Sequence, residues 1–363
     1  MKKRILLVSP SELCVGGVPK VIMTLVRELN REYIFDVATL SSKAGYYDGE
    51  FTSYGGNIYP IPSIQYLEHK ILHPLSFLQI RKAIARILRE EKYEAIHCHG
   101  GYLDGACHLA AAEAGLPIRI SHGHGTYLWT GRNLSMRFYF WAGKKFIQKY
   151  ATRRIACSDI AGDTLFLGEG YENVLNPVDV AQYANISKTP HSGIMLLQIG
   201  YFCSRKNQIF TIELLKHMLE HDVDVHASFI GYPHEEGYHQ QLMQMIDRYG
   251  LAGNVAFLPH DFDKRTAFAE ADYCLLPSDS EGLPLVALEA QAAHVPCLMS
   301  DRISRDSDIG AGFFLPHNDC DTWTKIITGG VQIDQNRLIE NLDRISSQAY
   351  AGNIKNMYEK KDS

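Results

Sequence analysis

Short apolar runs alternate with segments of helical period along the chain, and the alternation occurs twice. The first half opens with an apolar run at 5–8, and a segment whose apolar residues recur every three or four positions follows at 18–29. Further strands are predicted at 34–40, 94–98, 117–121, 153–157 and 171–175, and helices at 76–91, 103–114, 135–150 and 159–167. This order predicts a parallel sheet with helices on both faces.

A polar, proline-containing stretch at 176–192 interrupts the pattern and is the best candidate for a linker. After it, strands are predicted at 194–199, 225–230, 254–258, 272–276, 296–299 and 312–315, and helices at 207–221, 238–249, 263–270, 284–293, 321–327 and 335–361. We therefore predict an α/β protein with two domains, at 1–180 and 190–345. A C-terminal helix at about 345–363 is expected to pack back on the first domain.

Length and composition agree with two globular domains. The chain has 363 residues, which are too many for one ordinary hydrophobic core. They are 46% hydrophobic and 21% charged, as in a globular protein. No apolar run reaches the roughly 18 residues of a transmembrane helix, and the run after Arg4 is too short for a signal peptide. The eight cysteines form no C-x-x-C pair, so neither a zinc site nor a disulfide framework is indicated. We expect a protein of the reducing cytoplasm.

Charge is distributed unevenly along the chain. Residues 1–185 hold 21 basic against 17 acidic residues, whereas residues 186–363 hold 15 against 24. The segment 125–154 has seven basic residues, no acidic residue and many aromatic ones. Such a segment suits contact with anionic lipid at the inner face of the cell membrane, or a lipid-diphosphate acceptor. Alternatively it is a domain helix with core aromatics and solvated lysines. The acidic total argues against nucleic acid.

The segment 277–290, PSDSEGLPLVALEA, has the residues of a ligand-binding loop and helix. It follows a predicted strand, so it lies at the sheet edge where open α/β sheets bind ligands. Gly282 lets the backbone approach a ligand, and amide groups at a helix start can hold a diphosphate. Glu281 and Glu289 can accept hydrogen bonds from hydroxyl groups of one extended ligand. The alternative is an ordinary capped helix with acidic residues in its first turns.

The whole string resembles the E-x7-E motif of retaining glycosyltransferases, especially glycosyltransferase family 4. Further segments along nearly the whole chain resemble other parts of that family's pattern: Gly16-Gly17-Val18, Asn176-Pro177-Val178-Asp179, Gly200-Tyr201-Phe202, Arg205-Lys206-Asn207, Phe229-Ile230-Gly231 and Phe257-Leu258-Pro259. The chain departs from the pattern at Tyr201, where the family usually has arginine, and at Pro177 and Pro259, where it commonly has glycine. The resemblance implies the GT-B fold, in which two Rossmann-like domains face each other across a cleft.

The resemblance also implies roles for named residues. Glu281 would bind hydroxyls of the transferred sugar, Glu289 those of the ribose, and Lys206, helped by Arg205, would neutralise the diphosphate. Gly16 and Gly17 of the first, acceptor-side domain would close over the diphosphate. The remaining donor contacts would come from residues next to these motifs, namely Gly200, Gly282, Leu283, Pro284 and Leu285.

Histidines lie at the ends of two predicted strands of the first domain, as His97-Cys98-His99 and His122-Gly123-His124. The resemblance implies that either His122 or His124 contacts the donor sugar. A metal is the less favoured interpretation, because no carboxylate or cysteine completes a ligand set nearby in the sequence. Asp222-Val223-Asp224 and Asp261-Phe262-Asp263 mimic a D-x-D metal motif, but turn and cap positions explain them better.

The resemblance thus implies a metal-independent hexosyltransferase of surface polysaccharide biosynthesis that acts with retention on a glycan or lipid-linked acceptor. It needs no cofactor, and a UDP-sugar is favoured over a GDP-sugar as donor. No enzyme nucleophile is evident, so a front-face reaction is expected, in which the leaving phosphate takes the acceptor's proton. The alternatives are a nucleotide-sugar epimerase of similar fold and a non-catalytic binding subunit derived from a transferase.

Overall fold

The computed structural model describes residues 2–61, 73–125, 134–168 and 170–359. The chain divides into two compact units. The N-terminal unit comprises Met1–Pro177 and Ser347–Ser363, and the C-terminal unit comprises Val178–Ser346. The division therefore falls at the start of the polar stretch, and the last helix returns to the N-terminal unit.

The N-terminal unit is built on a seven-stranded parallel sheet with the order β3-β2-β1-β4-β5-β6-β7. Its strands are β1 Lys3–Ser9, β2 Tyr33–Thr39, β3 Ile58–Pro60, β4 Ala95–Cys98, β5 Ile118–Gly123, β6 Arg153–Ala156 and β7 Glu172–Asn173. Its helices are α1 Gly17–Leu29, α2 Asp48–Ser53, α3 His73–Glu90, α4 Asp104–Glu113, α5 Leu134–Tyr150, α6 Asp159–Phe166 and, after the C-terminal unit, α14 Ser347–Glu359.

The C-terminal unit is built on a six-stranded parallel sheet with the order β10-β9-β8-β11-β12-β13. Its strands are β8 Ile194–Ile199, β9 Val225–Ile230, β10 Val255–Leu258, β11 Tyr273–Leu276, β12 Cys297–Ser300 and β13 Gly312–Leu315. Its helices are α7 Val180–Tyr183, α8 Gln208–Glu220, α9 Tyr238–Tyr249, α10 Lys264–Glu270, α11 Leu285–Ala292, α12 Cys320–Gly329 and α13 Gln335–Arg344.

Both sheets are doubly wound, which confirms the predicted pair of Rossmann-like α/β domains. In each sheet the strand order reverses beside the first strand, between β1 and β4 and between β8 and β11. Helices cover both faces, so β4 and β11 are buried along their whole length, and β1 is buried over the apolar run at 5–8. Loops at the carboxyl ends of the strands meet at these reversal points, where such sheets bind ligands.

The described part of the C-terminal stretch forms two helices, α13 and α14, so the prediction of one helix over 335–361 was wrong. The break falls at Ile345, whose backbone leaves the helical range with φ −93° and ψ 0°. Its carbonyl accepts a hydrogen bond from the Val178 amide at 2.8 Å. The sequence pattern also missed α2, β3 and α7, each no longer than six residues. None of the helices in the described ranges is both long and apolar enough to span a lipid bilayer.

Candidate active site

The loop between β11 and α11 carries the first glutamate of the motif at the reversal point of the C-terminal sheet. Glu281 is 8% exposed and forms an isolated parallel bridge with Ile303. Ser300 Oγ donates a hydrogen bond to the Ser278 carbonyl at 2.6 Å, which fixes the start of the loop. Gly282 and Leu283 are buried, and Pro284 occupies the N-cap of α11. The helix therefore begins at Leu285, one residue later than the sequence predicts.

Two cations hold the Glu281 carboxylate. Lys206 Nζ lies 2.6 Å from Oε1, and an Arg205 guanidinium nitrogen lies 3.3 Å from Oε2. Burial alone would raise the pKa of Glu281, but the charges of Lys206 and Arg205 outweigh it and lower the pKa. The carboxylate is therefore ionised at neutral pH, and it can accept hydrogen bonds from hydroxyl groups.

A 3₁₀ turn at Ser204–Lys206 presents these cations, and backbone contacts tie it to the glutamate loop. The Asp279 amide donates to the Arg205 carbonyl at 2.9 Å, and Asn207 Nδ2 donates to the Pro277 carbonyl at 3.1 Å. Asn207 ends the turn with a φ of +55°, which asparagine tolerates better than most residues. The sequence motif gave Asn207 no role of its own. The structure shows that Asn207 ends the 3₁₀ turn and connects it to the glutamate loop.

Two glycines let the strand ends of β8 and β9 approach each other beneath Lys206. A Cβ atom on Gly231 would lie 2.0 Å from the Gly200 carbonyl oxygen, so no larger residue fits there. The Lys206 chain passes beside Gly200, with Cε 3.3 Å from the position of a Cβ on that glycine. The predicted Gly200 thus joins the cluster of Arg205, Lys206 and Glu281 by making room for the lysine.

Glu289 lies apart from that cluster and has no exposed surface. Lys264 Nζ lies 2.6 Å from its Oε2. Burial, together with the charge of Glu289 and a hydrogen bond to it, raises the pKa of the Tyr183 hydroxyl. Sequence reasoning missed both partners, since neither lies in a recognisable motif. Any contact between this carboxylate and a ribose would have to be shared with Lys264.

Tyr201, which replaces the family's usual arginine, belongs to a group of aromatic rings. Its ring centroid lies 4.8 Å from that of Tyr232 and 5.1 Å from that of His234, on which it stacks at an interplanar angle of 20°. Two further basic side chains contact the glutamate loop, since Arg302 and His317 lie 3.5 and 3.0 Å from the Asp279 carboxylate. The positive charge near this loop therefore comes from Arg205, Lys206 and Arg302.

In the N-terminal unit, Gly16 and Gly17 form the start of α1. Gly16 is the N-cap, with extended backbone and no side-chain cap, and the first turn of the helix holds no acidic residue. Gly17 is exposed, and no atom lies within 4 Å of the position of a Cβ on it. A helix start of this kind leaves amide groups available for an anion.

Four histidines gather at the carboxyl ends of β4 and β5. His122 lies between His97 and His124, with ring centroids 5.4 and 4.0 Å away, and His99 stacks on His97 at 4.3 Å. Burial lowers the pKa of His97 to about 3 and that of His124 to about 4. His122 is buried, whereas His124 is half-buried and lines a pocket together with Tyr102, Phe140 and Lys144.

The two D-x-D sequences are structural, as predicted. Asp263 accepts hydrogen bonds from the amides of Arg265 and Thr266 and so caps α10. Asp222 has a φ of +57° in the turn that follows α8. Neither aspartate therefore indicates a metal site.

Two family models match adjacent parts of the chain. The model for Glycosyltransferase Family 4 matches residues 15–181, and the model for Glycosyl transferases group 1 matches residues 179–319. Three relatives cover most of it. EpsF of Bacillus subtilis (strain 168), which is named as a glycosyltransferase, is 28% identical over 82% of this chain and 79% of its own length. The capsular polysaccharide biosynthesis glycosyltransferase CapH of Staphylococcus aureus is 24% identical over 82% and 81%.

The third relative is the UDP-Gal:alpha-D-GlcNAc-diphosphoundecaprenol alpha-1,3-galactosyltransferase of Escherichia coli, 22% identical over 66% of this chain and 67% of its own. Among solved structures, Anabaena Alr3699/HepE in complex with UDP and glucose aligns with a TM-score of 0.76, 16% identity and 98% coverage of both chains. Sucrose-phosphate synthase of Thermosynechococcus elongatus aligns with a TM-score of 0.80, 14% identity and 98% coverage of both.

The two doubly wound domains are those of a GT-B protein. The chain belongs to the group 1 glycosyltransferases, as its motifs predicted.

Proposed function

We propose that this glycosyltransferase moves a hexose from a UDP-sugar to a glycan or lipid-linked acceptor during polysaccharide biosynthesis, with retention of anomeric configuration. The observation that carries the proposal is the ionised Glu281 carboxylate held between Lys206 and Arg205 at a sheet reversal point. A carboxylate beside two cations suits a ligand that has sugar hydroxyls next to a diphosphate, because the two kinds of group need opposite partners.

The hard step is departure of the nucleotide diphosphate. Lys206 and Arg205 would stabilise the charge that grows on it, and amides at the start of α11 would add hydrogen bonds. The bond between the anomeric carbon and the phosphate oxygen breaks, and its electron pair leaves with the diphosphate. The acceptor oxygen bonds to the same face of the carbon, and its proton passes to the leaving phosphate. No metal ion enters this scheme.

Donor and acceptor class are supported by the relatives. One relative is named as a galactosyltransferase that uses UDP-Gal and a diphosphoundecaprenol-linked sugar, and another for capsular polysaccharide biosynthesis. The HepE structures contain UDP, and one of them UDP-glucose. We assign the acceptor to the pocket of the N-terminal unit lined by His124, Tyr102, Phe140 and Lys144. We assign the ligand contact to His124 and not to the buried His122, because His124 lines this pocket.

A lipid-linked acceptor implies work at a membrane surface, and α5 has suitable side chains. Phe138 and Trp141 are 59% and 52% exposed, with ring centroids 5.9 Å apart. Arg137, Lys145 and Lys149 are exposed on the same helix, which has no acidic residue. We propose that this part of α5 rests on anionic lipid, with the aromatic rings between the headgroups.

The experiment compares UDP- and GDP-hexoses as donors for the full chain, by thermal shift and by analysis of products. We expect a UDP-hexose to raise the melting temperature and, with a diphosphoundecaprenol-linked acceptor, to give an α-linked product from an α-linked donor. A β-linked product would refute retention. An isomerised nucleotide sugar from donor alone would instead identify an epimerase. Donor binding without turnover across a broad set of acceptors would identify a binding subunit.

A further inference from the structure

Three buried histidines of the N-terminal unit bring ring nitrogens together. His97 lies in β4, His99 directly follows that strand, and His122 lies in β5, with exposed fractions of 0, 3 and 1%. One ring nitrogen from each lies within 4.8 Å of the other two. Alternation along β4 places His97 and His99 on one face, and parallel pairing puts β5 beside it. The convergence therefore follows from the sheet and not from spacing in the sequence.

These nitrogens are unsatisfied among the described residues. Nε2 of His97, Nε2 of His99 and both ring nitrogens of His122 are buried without a hydrogen-bond partner. A buried polar group without a partner destabilises a fold. Four such nitrogens on three neighbouring rings are unusual, since buried polar groups are normally paired. Unpaired nitrogens that also converge on one point therefore make this cluster a candidate ligand site.

Nδ1 of His97 and Nδ1 of His99 each have a hydrogen-bond partner, which fixes the orientation of the two rings and the direction of their Nε2 atoms. His97 Nδ1 lies 2.8 Å from the Tyr358 hydroxyl of α14, and His99 Nδ1 lies 2.8 Å from His124 Nε2. Histidines that bind metals usually have such a partner on the second nitrogen, which sets the ring orientation. Tyr358 is itself buried, so the arrangement connects the sheet to the C-terminal helix.

We propose that His97, His99 and His122 bind a divalent transition-metal ion of the zinc class in the interior of the N-terminal unit. Imidazole nitrogen is a preferred ligand for Zn²⁺, Cu²⁺ and Ni²⁺, whereas Mg²⁺ and Ca²⁺ prefer oxygen. Three histidines are an established zinc ligand set, with a fourth position left for water. Metal–nitrogen distances of about 2.0–2.1 Å require the rings to move closer together. The ion would connect the ends of β4 and β5 and, through the hydrogen bond of His97 to Tyr358, α14.

The test uses the full chain, stripped with a chelator and then dialysed against Zn²⁺, Co²⁺ or Mg²⁺. We expect Zn²⁺ to bind in a ratio of one per chain and to raise the melting temperature by mass action. Bound Co²⁺ should give the visible absorption of a four-coordinate site, and Mg²⁺ should do neither. Substoichiometric Zn²⁺ with no thermal shift would refute the proposal and leave ordered water as the ligand.

Variants distinguish this site from adventitious binding. His99→Gln and His122→Gln should each lose the bound ion and the thermal shift. His108→Gln is the matched control, because His108 in α4 is equally buried and has both ring nitrogens unpaired, yet lies outside the cluster. Retention of the ion by the His99→Gln/His122→Gln double variant would overturn the proposal. If a variant does not fold, the zinc stoichiometry and thermal shift of the unaltered chain still decide whether the protein has a metal site.

Discussion

Lys206 Nζ lies 2.6 Å from Glu281 Oε1, so the turn after β8 and the loop after β11 meet as an ion pair at the reversal point of the C-terminal sheet. Both side chains are nearly buried, since 14% of the Lys206 side chain and 10% of the Glu281 side chain are exposed. The pair keeps the carboxylate ionised and the cation in place before any ligand arrives. This arrangement prepares the site for a ligand that has both hydroxyl and phosphate groups.

Removal of either partner should abolish most sugar transfer. We expect Lys206→Ala and Glu281→Ala each to lower kcat/KM by about 10²–10³, the effect of losing one preorganised charged group. Initial rates with saturating acceptor would measure this. Lys216→Ala is the matched control, since Lys216 forms an exposed ion pair with Glu220 at the same 2.6 Å in the same unit. Two folded, fully active variants would defeat the assignment of this site.

Lys264 and Glu289 should be strongly coupled in stability. Glu289 is wholly buried, so Lys264→Met would leave a carboxylate without its cation. We expect each of Lys264→Met and Glu289→Gln to destabilise the protein. The free energy of unfolding should fall less in the double variant than the sum of the two single losses, with a coupling energy of about 1–3 kcal/mol. Urea unfolding of all four proteins measures the coupling, and strict additivity would show that the pair contributes nothing.

Asp104 should make stability fall as pH rises. Burial raises its pKa to about 8, although Gly100 N–H and Ser121 Oγ–H donate to it. The unfolded chain has an aspartate pKa of about 3.9. Between these values only the folded state holds the proton, so this group lowers the free energy of unfolding by about 1.4 kcal/mol per pH unit.

Asp104→Asn removes the ionisable carboxyl group and keeps nearly the same side-chain shape. The unfolding free energy of the variant, relative to the unaltered chain, should therefore increase by about 3 kcal/mol between about pH 5.5 and 7.5. Urea titrations at the two pH values give the comparison. A difference that stays constant would mean that Asp104 is ionised in the folded protein.

Vesicle binding should depend on the exposed rings of α5. We expect the full chain to sediment with vesicles that contain phosphatidylglycerol and not with phosphatidylcholine alone, and less so at high salt. Phe138→Ser/Trp141→Ser should reduce sedimentation several-fold. Met243→Ser is the control, because Met243 is 47% exposed in the C-terminal unit. Equal binding by all three proteins would exclude α5 as the contact.

The local pattern of the sequence determined the elements and the family. The strands at 194–199, 225–230 and 312–315 and the helix at 238–249 have the predicted bounds. Strand and helix periods arise from neighbouring residues, so they can be read without the fold. The motifs around Lys206 and Glu281 are likewise contiguous, and they identified the transferase class.

Contacts between distant segments were decided only by the tertiary structure. Lys264 is 25 residues from Glu289, and His99 is 23 from His122. No local period links such residues, because they meet only when parallel strands bring their carboxyl ends together. The break at Ile345 also involves a distant segment, since the carbonyl of Ile345 accepts a hydrogen bond from the Val178 amide. Sequence therefore specified which side chains were available, and the two sheets decided which of them meet.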